Sequence, residues 1–65
     1  MPYVNSSAIS RVEYDALLRH LFITFRESGT YTYYGVPQDV YDCFLRASSK
    51  GRFYNDHIKD RYSRG

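Results

Sequence analysis

The segment HLFITFRESGTYTYYGV, residues 20–36, constrains the fold of this chain more than any other stretch. Apolar and polar side chains alternate on both sides of its central glycine, Gly29. A two-residue period is typical of β-strands with one buried face, and a glycine between two such runs indicates a tight turn. The segment therefore predicts a β-hairpin with strands over 20–26 and 30–36.

The loop of this hairpin determines which residues pair across it. Gly29 can adopt a left-handed conformation without a steric penalty, so 27–29 is predicted as a three-residue loop. A two-residue turn would shift the register by one position and mix apolar with polar side chains on each face. The predicted pairs are Arg26 with Thr30, Phe25 with Tyr31, Thr24 with Thr32, Ile23 with Tyr33, and Phe22 with Tyr34.

The alternation also assigns side chains to two faces of the sheet. Residues 9–15 alternate in the same way and predict a third strand, so the sheet is a three-stranded antiparallel meander. One face is predicted to be core: Leu21, Ile23, Phe25, Tyr31 and Tyr33. Phe22 and Tyr34 are expected on the opposite face, either open or covered by residues 2–4.

The second half of the chain predicts two helices. Residues 36–51 carry an apolar stripe, with Pro37 suited to the first helical turn and Gly51 to the end of the helix. Residues 55–62 are predicted as a second helix with Asn55 as its N-cap. The expected fold class is α+β, a single domain over residues 1–65. Its order is β-β-β-α-α, with both helices packed on one face of the sheet.

Several short motifs, in this order and spacing, give the chain a family resemblance. It resembles the KTSC domain, a small module found at the C-terminus of some lysyl-tRNA synthetases and as stand-alone bacterial and phage proteins. The resemblance implies no established activity; its link to a tRNA synthetase implies RNA binding. The matching residues are Ile9, Val12, Tyr14 and Asp15; Leu21, Ile23 and Phe25; Tyr31, Tyr33, Val36 and Pro37; Ala47 to Gly51; Phe53, Tyr54 and Asn55; Ile58 and Tyr62.

Charge is concentrated at the C-terminal end. Residues 46–65 contain six basic and two acidic residues, whereas residues 1–45 contain three basic and five acidic ones. A basic end on a small domain indicates an acidic partner such as nucleic acid, although a solvated helical surface has the same composition. Residues 48–55, SSKGRFYN, offer Lys50 and Arg52 to a phosphate, or else form a helix cap and turn.

The composition argues against catalytic and metal-dependent functions. The one cysteine, Cys43, and the two histidines, His20 and His57, are not spaced as a nucleophile–base pair or as a zinc motif. No glycine-rich phosphate loop, membrane span or signal peptide is recognisable. We therefore expect a cytoplasmic protein that is not an enzyme and uses no cofactor or metal.

Two functions remain at the level of the sequence. The first is binding of RNA or other nucleic acid, through stacking on exposed rings and contacts from the basic segment. The alternative is a protein-interaction module, either a homodimer or an accessory protein that docks on a host protein, because tyrosine is enriched at interfaces. The predicted contact residues for either partner are Phe22, Tyr34, Lys50, Arg52, Lys59 and Arg61.

Overall fold

The computed structural model describes residues 8–65, which form one antiparallel sheet followed by helices. This confirms the predicted α+β class and the β-β-β-α-α order. No helix among these residues has the length and apolar character needed to cross a membrane. The elements are β1 (Ile9–Asp15), β2 (His20–Phe25), β3 (Gly29–Tyr33), α1 (Gln38–Arg46), α2 (Lys50–Phe53) and a π-helical turn, π1 (Tyr54–Ile58), that continues α2.

The turn between β1 and β2 is closed by an aspartate side chain. The backbone N–H groups of Leu17 and Leu18 donate to Asp15 Oδ1 at 3.0 and 3.2 Å. Aspartate often closes a turn in this way because its short carboxylate reaches backbone donors two or three residues along the chain. The turn leaves Leu17 and Leu18 exposed, with 91% and 58% of their residue surface accessible.

The hairpin of β2 and β3 has a three-residue loop, as predicted, but the loop begins one residue earlier in the chain. Phe25 pairs with Gly29, so the loop consists of residues 26–28. Gly29 has a φ of +93°, the left-handed conformation expected of it, but it opens β3 instead of ending the loop. The predicted register of the β2–β3 hairpin is therefore wrong by two positions.

The two-residue displacement leaves the predicted faces intact. Side chains alternate with a period of two, so a shift by two moves each residue along its own face. In the observed register Leu21 faces Tyr33, whereas Phe22 faces Thr32 instead of Tyr34. The apolar pattern is the same in both registers, which is why it could not distinguish them.

The hydrophobic core lies between one face of the sheet and the two helices. Phe44 of α1 and Ile58 of π1 are fully buried against the sheet residues. The prediction that both helices cover the face of Leu21, Ile23 and Tyr33 is thus confirmed. The core side chains exposed by 2% or less are Leu21, Ile23, Tyr33, Val36, Phe44 and Ile58.

The first helix ends earlier than predicted. A helix over 36–51 ending at Gly51 is wrong, because α1 ends at Arg46 and Gly51 lies inside α2. Ser49 is the N-cap of α2, and its hydroxyl accepts a hydrogen bond from the Arg52 N–H at 3.3 Å. Serine side chains compete with helical hydrogen bonds and favour N-cap positions, so the Ser-Ser pair at 48–49 starts a new helix.

The second helix also starts earlier than predicted. It runs from Lys50 through Ile58, so a helix over 55–62 capped by Asn55 is wrong. The Lys59 N–H donates to the Tyr54 carbonyl at 2.8 Å, a step of five residues that closes the π-helical turn. Ser49 already caps the helix, and the chain stays helical through Asn55, which therefore has no capping role.

Residues 63–65, the C-terminal tail, lie along the outer edge of β3. The Tyr34 N–H donates to the Ser63 carbonyl at 3.0 Å, and the Gly65 N–H donates to the Thr32 carbonyl at 2.8 Å. Tyr33 and Arg64 are antiparallel bridge partners between these bonds. Directly opposed residues share a face, so Arg64 lies on the helix side of the sheet, while Ser63 and Gly65 lie on the other side.

Candidate nucleic-acid interface

The face of the sheet opposite the helices carries three aromatic side chains in contact. His20 lies edge-on to Tyr34, with ring centroids 4.9 Å apart, and edge-on to Phe22 at 6.2 Å. Tyr34 is 41% exposed, and the other two rings are partly buried. We call these three residues, His20, Phe22 and Tyr34, the aromatic patch.

Two of these three residues were predicted, and the third follows from the observed register. The sequence placed Phe22 and Tyr34 on the same face as a cross-strand pair. Because the pairing is shifted by two, His20 at the start of β2 stands between them. Residues 2–4, proposed above as a cover for these rings, lie outside the described part of the chain.

Short polar side chains continue the same face beyond the aromatic patch. Thr24 and Thr30 share a hydrogen bond between their hydroxyl oxygens at 2.7 Å, and Thr32 lies opposite Phe22. Arg11 and Glu13 of β1 form an exposed ion pair at the border of this face. The face therefore combines rings with hydroxyl groups and little net charge.

The C-terminal tail passes close to the exposed ring of the patch. A Cβ atom placed on Gly65 would lie 1.9 Å from the Tyr34 hydroxyl oxygen. With any larger residue at this position, the Tyr34 ring would have to move. The glycine thus allows the ring to rest against the backbone of the tail.

A second group of aromatic and charged side chains lies on the helix side of the same edge. They surround a cleft of about 400 Å³, which we call the β3-edge cleft. The hydroxyl oxygens of Tyr33 and Tyr54 are 2.6 Å apart at this cleft, and their ring centroids are 5.8 Å apart. The residues that line it are Tyr33, Tyr54, Lys59, Asp60, Tyr62 and Arg64.

Two groups at this cleft hold their protons more tightly than usual. The pKa of Tyr54 is raised above its ordinary value of 10.0. The larger cause is burial of the hydroxyl, and the hydrogen bond with Tyr33 is the next. Hydrogen bonding with Tyr33 raises the pKa of Arg64, whose guanidinium carbon lies 4.7 Å from the Tyr31 ring centroid. At neutral pH Tyr54 is therefore a neutral hydroxyl and Arg64 a cation.

Lys50, a predicted contact residue, is engaged within the fold. Its ammonium group donates to the carbonyl oxygens of Leu45 and Ala47 at 3.0 and 2.9 Å. These carbonyls lie at the end of α1, where helical acceptors have no partner in the helix. Lys50 therefore caps α1 from the first residue of α2.

Arg52 and Arg61 lie away from both groups. Arg52 is an exposed partner of Asp56, one turn along the helix, at 3.8 Å. Arg61 lines a separate depression with Cys43 and His57. Of the six predicted contact residues, the structure thus brings Phe22 and Tyr34 together through His20, and places Lys59 beside Arg64 in the β3-edge cleft.

Cys43 of α1 and His57 of π1 line the same depression. The His57 ring packs on Phe53 with centroids 4.6 Å apart, and Cys43 is exposed. Within residues 8–65, no three His, Cys, Asp or Glu side chains are grouped closely enough to hold a metal ion.

The fold and these surfaces define a small α+β domain whose chemistry lies in aromatic and cationic side chains. Comparison with known proteins identifies the family to which this domain belongs. The family model of the KTSC domain matches residues 5–62, so the chain belongs to the KTSC domain family. The resemblance seen in the sequence is thereby confirmed.

Two relatives agree with this assignment. A protein from Tsukamurella paurometabola is 44% identical over 62 residues, which cover 95% of this chain and 92% of the relative. The crystal structure of a KTSC domain protein from Yersinia pestis superposes with a TM-score of 0.91 at 44% identity. That match covers 97% of this chain and 89% of the Yersinia chain.

Proposed function

We propose that this protein is a non-enzymatic module of the cytoplasm that binds single-stranded RNA on the open face of its sheet. The observation that carries the proposal is the contact of three rings, His20, Phe22 and Tyr34, on the face that the helices leave free. Unpaired bases stack on aromatic side chains presented by a sheet, with a contribution of about 1–3 kcal/mol per base.

The side chains around the aromatic patch could contact a flexible single strand of RNA. The hydroxyl groups of Thr24, Thr30 and Thr32 lie beside the rings and can contact sugar or base edges. The open face carries little net charge, so attraction of the RNA backbone depends on the basic residues of the C-terminal segment. Arg64 and Lys59 lie just across the β3 edge, on the helix side.

The test is RNA affinity in matched variants, measured by fluorescence anisotropy with a labelled single-stranded oligonucleotide. Tyr34→Ala and Phe22→Ala each remove one ring from the patch, and each is expected to weaken binding by about tenfold, equivalent to about 1.4 kcal/mol. Leu17→Ala is the control, because it removes an exposed apolar side chain from a turn outside the patch. Equal affinity in all three variants and the parent would refute stacking on this face.

A protein-interaction role is the alternative, and exposed apolar groups favour it. Leu17, Leu18 and Tyr34 are all exposed on a domain this small. Leu17 and Leu18 are consecutive in the β1–β2 turn, and adjoining exposed apolar groups mark interaction surfaces more often than scattered ones do. Sedimentation at rising concentration tests the homodimer: a strict monomer removes it, and a dimer lost in Tyr34→Ala assigns the patch to self-association.

A further inference from the structure

The β3-edge cleft is not needed for stacking on the open face, yet it has the composition of a ligand site. Its volume of about 400 Å³ lies within the usual range for small-molecule sites, about 300–1,000 Å³. Three tyrosines supply rings and hydroxyl groups, and two cations stand at its rim. Side chains from β3, from π1 and from the chain after it converge here, so the cleft is a product of the tertiary fold.

The paired hydroxyl groups leave one donor free. Each tyrosine has one O–H proton, so in the 2.6 Å bond between Tyr33 and Tyr54 one hydroxyl donates and the other accepts. The accepting residue keeps its own proton, for which residues 8–65 provide no acceptor within hydrogen-bond distance. Tyr33 is 2% exposed and Tyr54 is partly buried, so the free proton can reach a ligand when Tyr54 is the accepting residue.

Both cations of the cleft keep their charge, and Arg64 also hydrogen-bonds with Tyr33. Within the described residues neither Lys59 nor Arg64 has a carboxylate within ion-pair distance, although Asp60 lines the same cleft. Two cations against one carboxylate leave an excess of one positive charge. The guanidinium of Arg64 lies over the Tyr31 ring at 4.7 Å, which orients it without neutralising it.

From these groups we propose that the β3-edge cleft binds the phosphate monoester of a nucleotide-sized ligand, with Arg64, Lys59 and the Tyr33–Tyr54 hydroxyl pair on the phosphate. A phosphate monoester carries a charge of about −1.5 to −2 at pH 7 and has several strong acceptor oxygens. Guanidinium groups match phosphate oxygens in geometry, and lysine adds a point charge. The tyrosine rings provide the remaining surface for a sugar or base.

This site is distinct from the aromatic patch, although its cations Lys59 and Arg64 are also among the basic residues proposed to attract the RNA backbone. The aromatic patch lies on the open side of the sheet, and the cleft lies on the helix side, with the C-terminal tail between them. The same phosphate chemistry is presented by a free nucleotide and by the 5′ end of a nucleic acid. Both ligands offer a phosphate to Arg64, Lys59 and the tyrosine hydroxyls, and the experiment below distinguishes between them.

The experiment is isothermal titration calorimetry of the protein with adenosine 5′-monophosphate, with adenosine and with inorganic phosphate. A short oligonucleotide is then titrated in two forms, with and without a 5′-phosphate. The proposal expects the monophosphate to bind and adenosine to bind at least about tenfold more weakly. A 5′-phosphorylated oligonucleotide that binds more tightly than both the monophosphate and the same oligonucleotide without the 5′-phosphate identifies a nucleic-acid end as the ligand. The reverse order identifies a free nucleotide.

Variants then assign the binding to the cleft. Arg64→Gln and Lys59→Gln are each expected to weaken monophosphate binding by about tenfold, and Tyr54→Phe by a few-fold because it removes a hydroxyl. Arg46→Gln is the matched control, since it removes one positive charge at the end of α1 and is expected to leave the affinity within about twofold. Circular dichroism verifies that each variant is folded.

Three outcomes would overturn the proposal: no monophosphate binding at millimolar concentration, equal binding of adenosine, or equal losses in Arg46→Gln and Arg64→Gln. Phe22→Ala keeps this result separate from the RNA proposal. That variant lacks a ring of the aromatic patch and is expected to bind the monophosphate like the parent. Failure at the cleft and failure at the patch can therefore be told apart.

Discussion

The hydroxyl oxygens of Tyr33 and Tyr54 lie 2.6 Å apart and join the last strand of the sheet to the π-helical turn. Tyr33 faces Leu21 in the sheet, and the Tyr54 ring also lies edge-on to Phe25, with centroids 5.2 Å apart. The pair thus links the core to the rim of the β3-edge cleft. π-Helical turns often occur at functional sites, and here the turn carries Tyr54 into the cleft.

Removing one hydroxyl of this pair is expected to lower the free energy of unfolding by about as much as removing both. Tyr33→Phe and Tyr54→Phe should each lower the free energy of unfolding by about 0.5–1.5 kcal/mol, the net contribution of a hydrogen bond. The double variant should lose little more, because the second substitution removes no further bond between them. Urea denaturation of the four proteins measures the coupling, and fully additive losses would contradict a shared hydrogen bond.

Alkaline pH should destabilise the protein through Tyr54. Its pKa is raised in the folded state above the ordinary 10.0, so above pH 10 the unfolded chain loses this proton while the folded chain keeps it. The unfolded state then binds fewer protons, and the free energy of unfolding falls as pH rises. The contribution is intact below pH 10. Denaturation of the parent and of Tyr54→Phe between pH 8 and 11 should show that the free energy of unfolding falls less steeply with pH in the variant. Equal slopes in the two proteins would contradict a raised pKa of Tyr54.

Lys50 is expected to support the fold and not the ligand. Lys50→Met removes the ammonium group that donates to Leu45 and Ala47, and should lower the free energy of unfolding by about 0.5–1.5 kcal/mol. Lys59→Met removes the same charge where no carbonyl is capped, so it serves as the control and should change stability little. Urea denaturation compares the two lysine variants. An RNA affinity that falls more in Lys50→Met than in Lys59→Met would show that Lys50 contacts the ligand.

The faces of the sheet could be predicted from the sequence, and its register could not. Alternation places Ile23 on the core side and Phe22 on the open side, whichever of the two registers forms. The choice between pairing Phe22 with Tyr34 or with Thr32 depends on where Gly29 enters the strand. A left-handed glycine suits both positions, so the contact of His20 with Tyr34 became visible only in the structure.

Helix boundaries and the tail depended on interactions between distant residues. The break between α1 and α2, before Ser49, is stabilised by Lys50, which caps α1. Hydrophobic periodicity in the sequence does not predict these hydrogen bonds. The pairing of Arg64 with Tyr33 involves a segment too short to show alternation. For the same reason Lys59 was predicted as a contact residue from charge alone, and its neighbours Tyr33 and Arg64 were not.

The measurement that tests RNA binding most directly is an NMR titration of isotope-labelled protein with short single-stranded RNA, first at low salt and then at physiological salt. We predict shifts at His20, Phe22 and Tyr34 that diminish as salt is added, because contacts with backbone phosphates release counterions. Shifts confined to other surfaces would move the site away from the aromatic patch. No shifts at low salt, where electrostatic attraction is strongest, would contradict RNA binding by this protein.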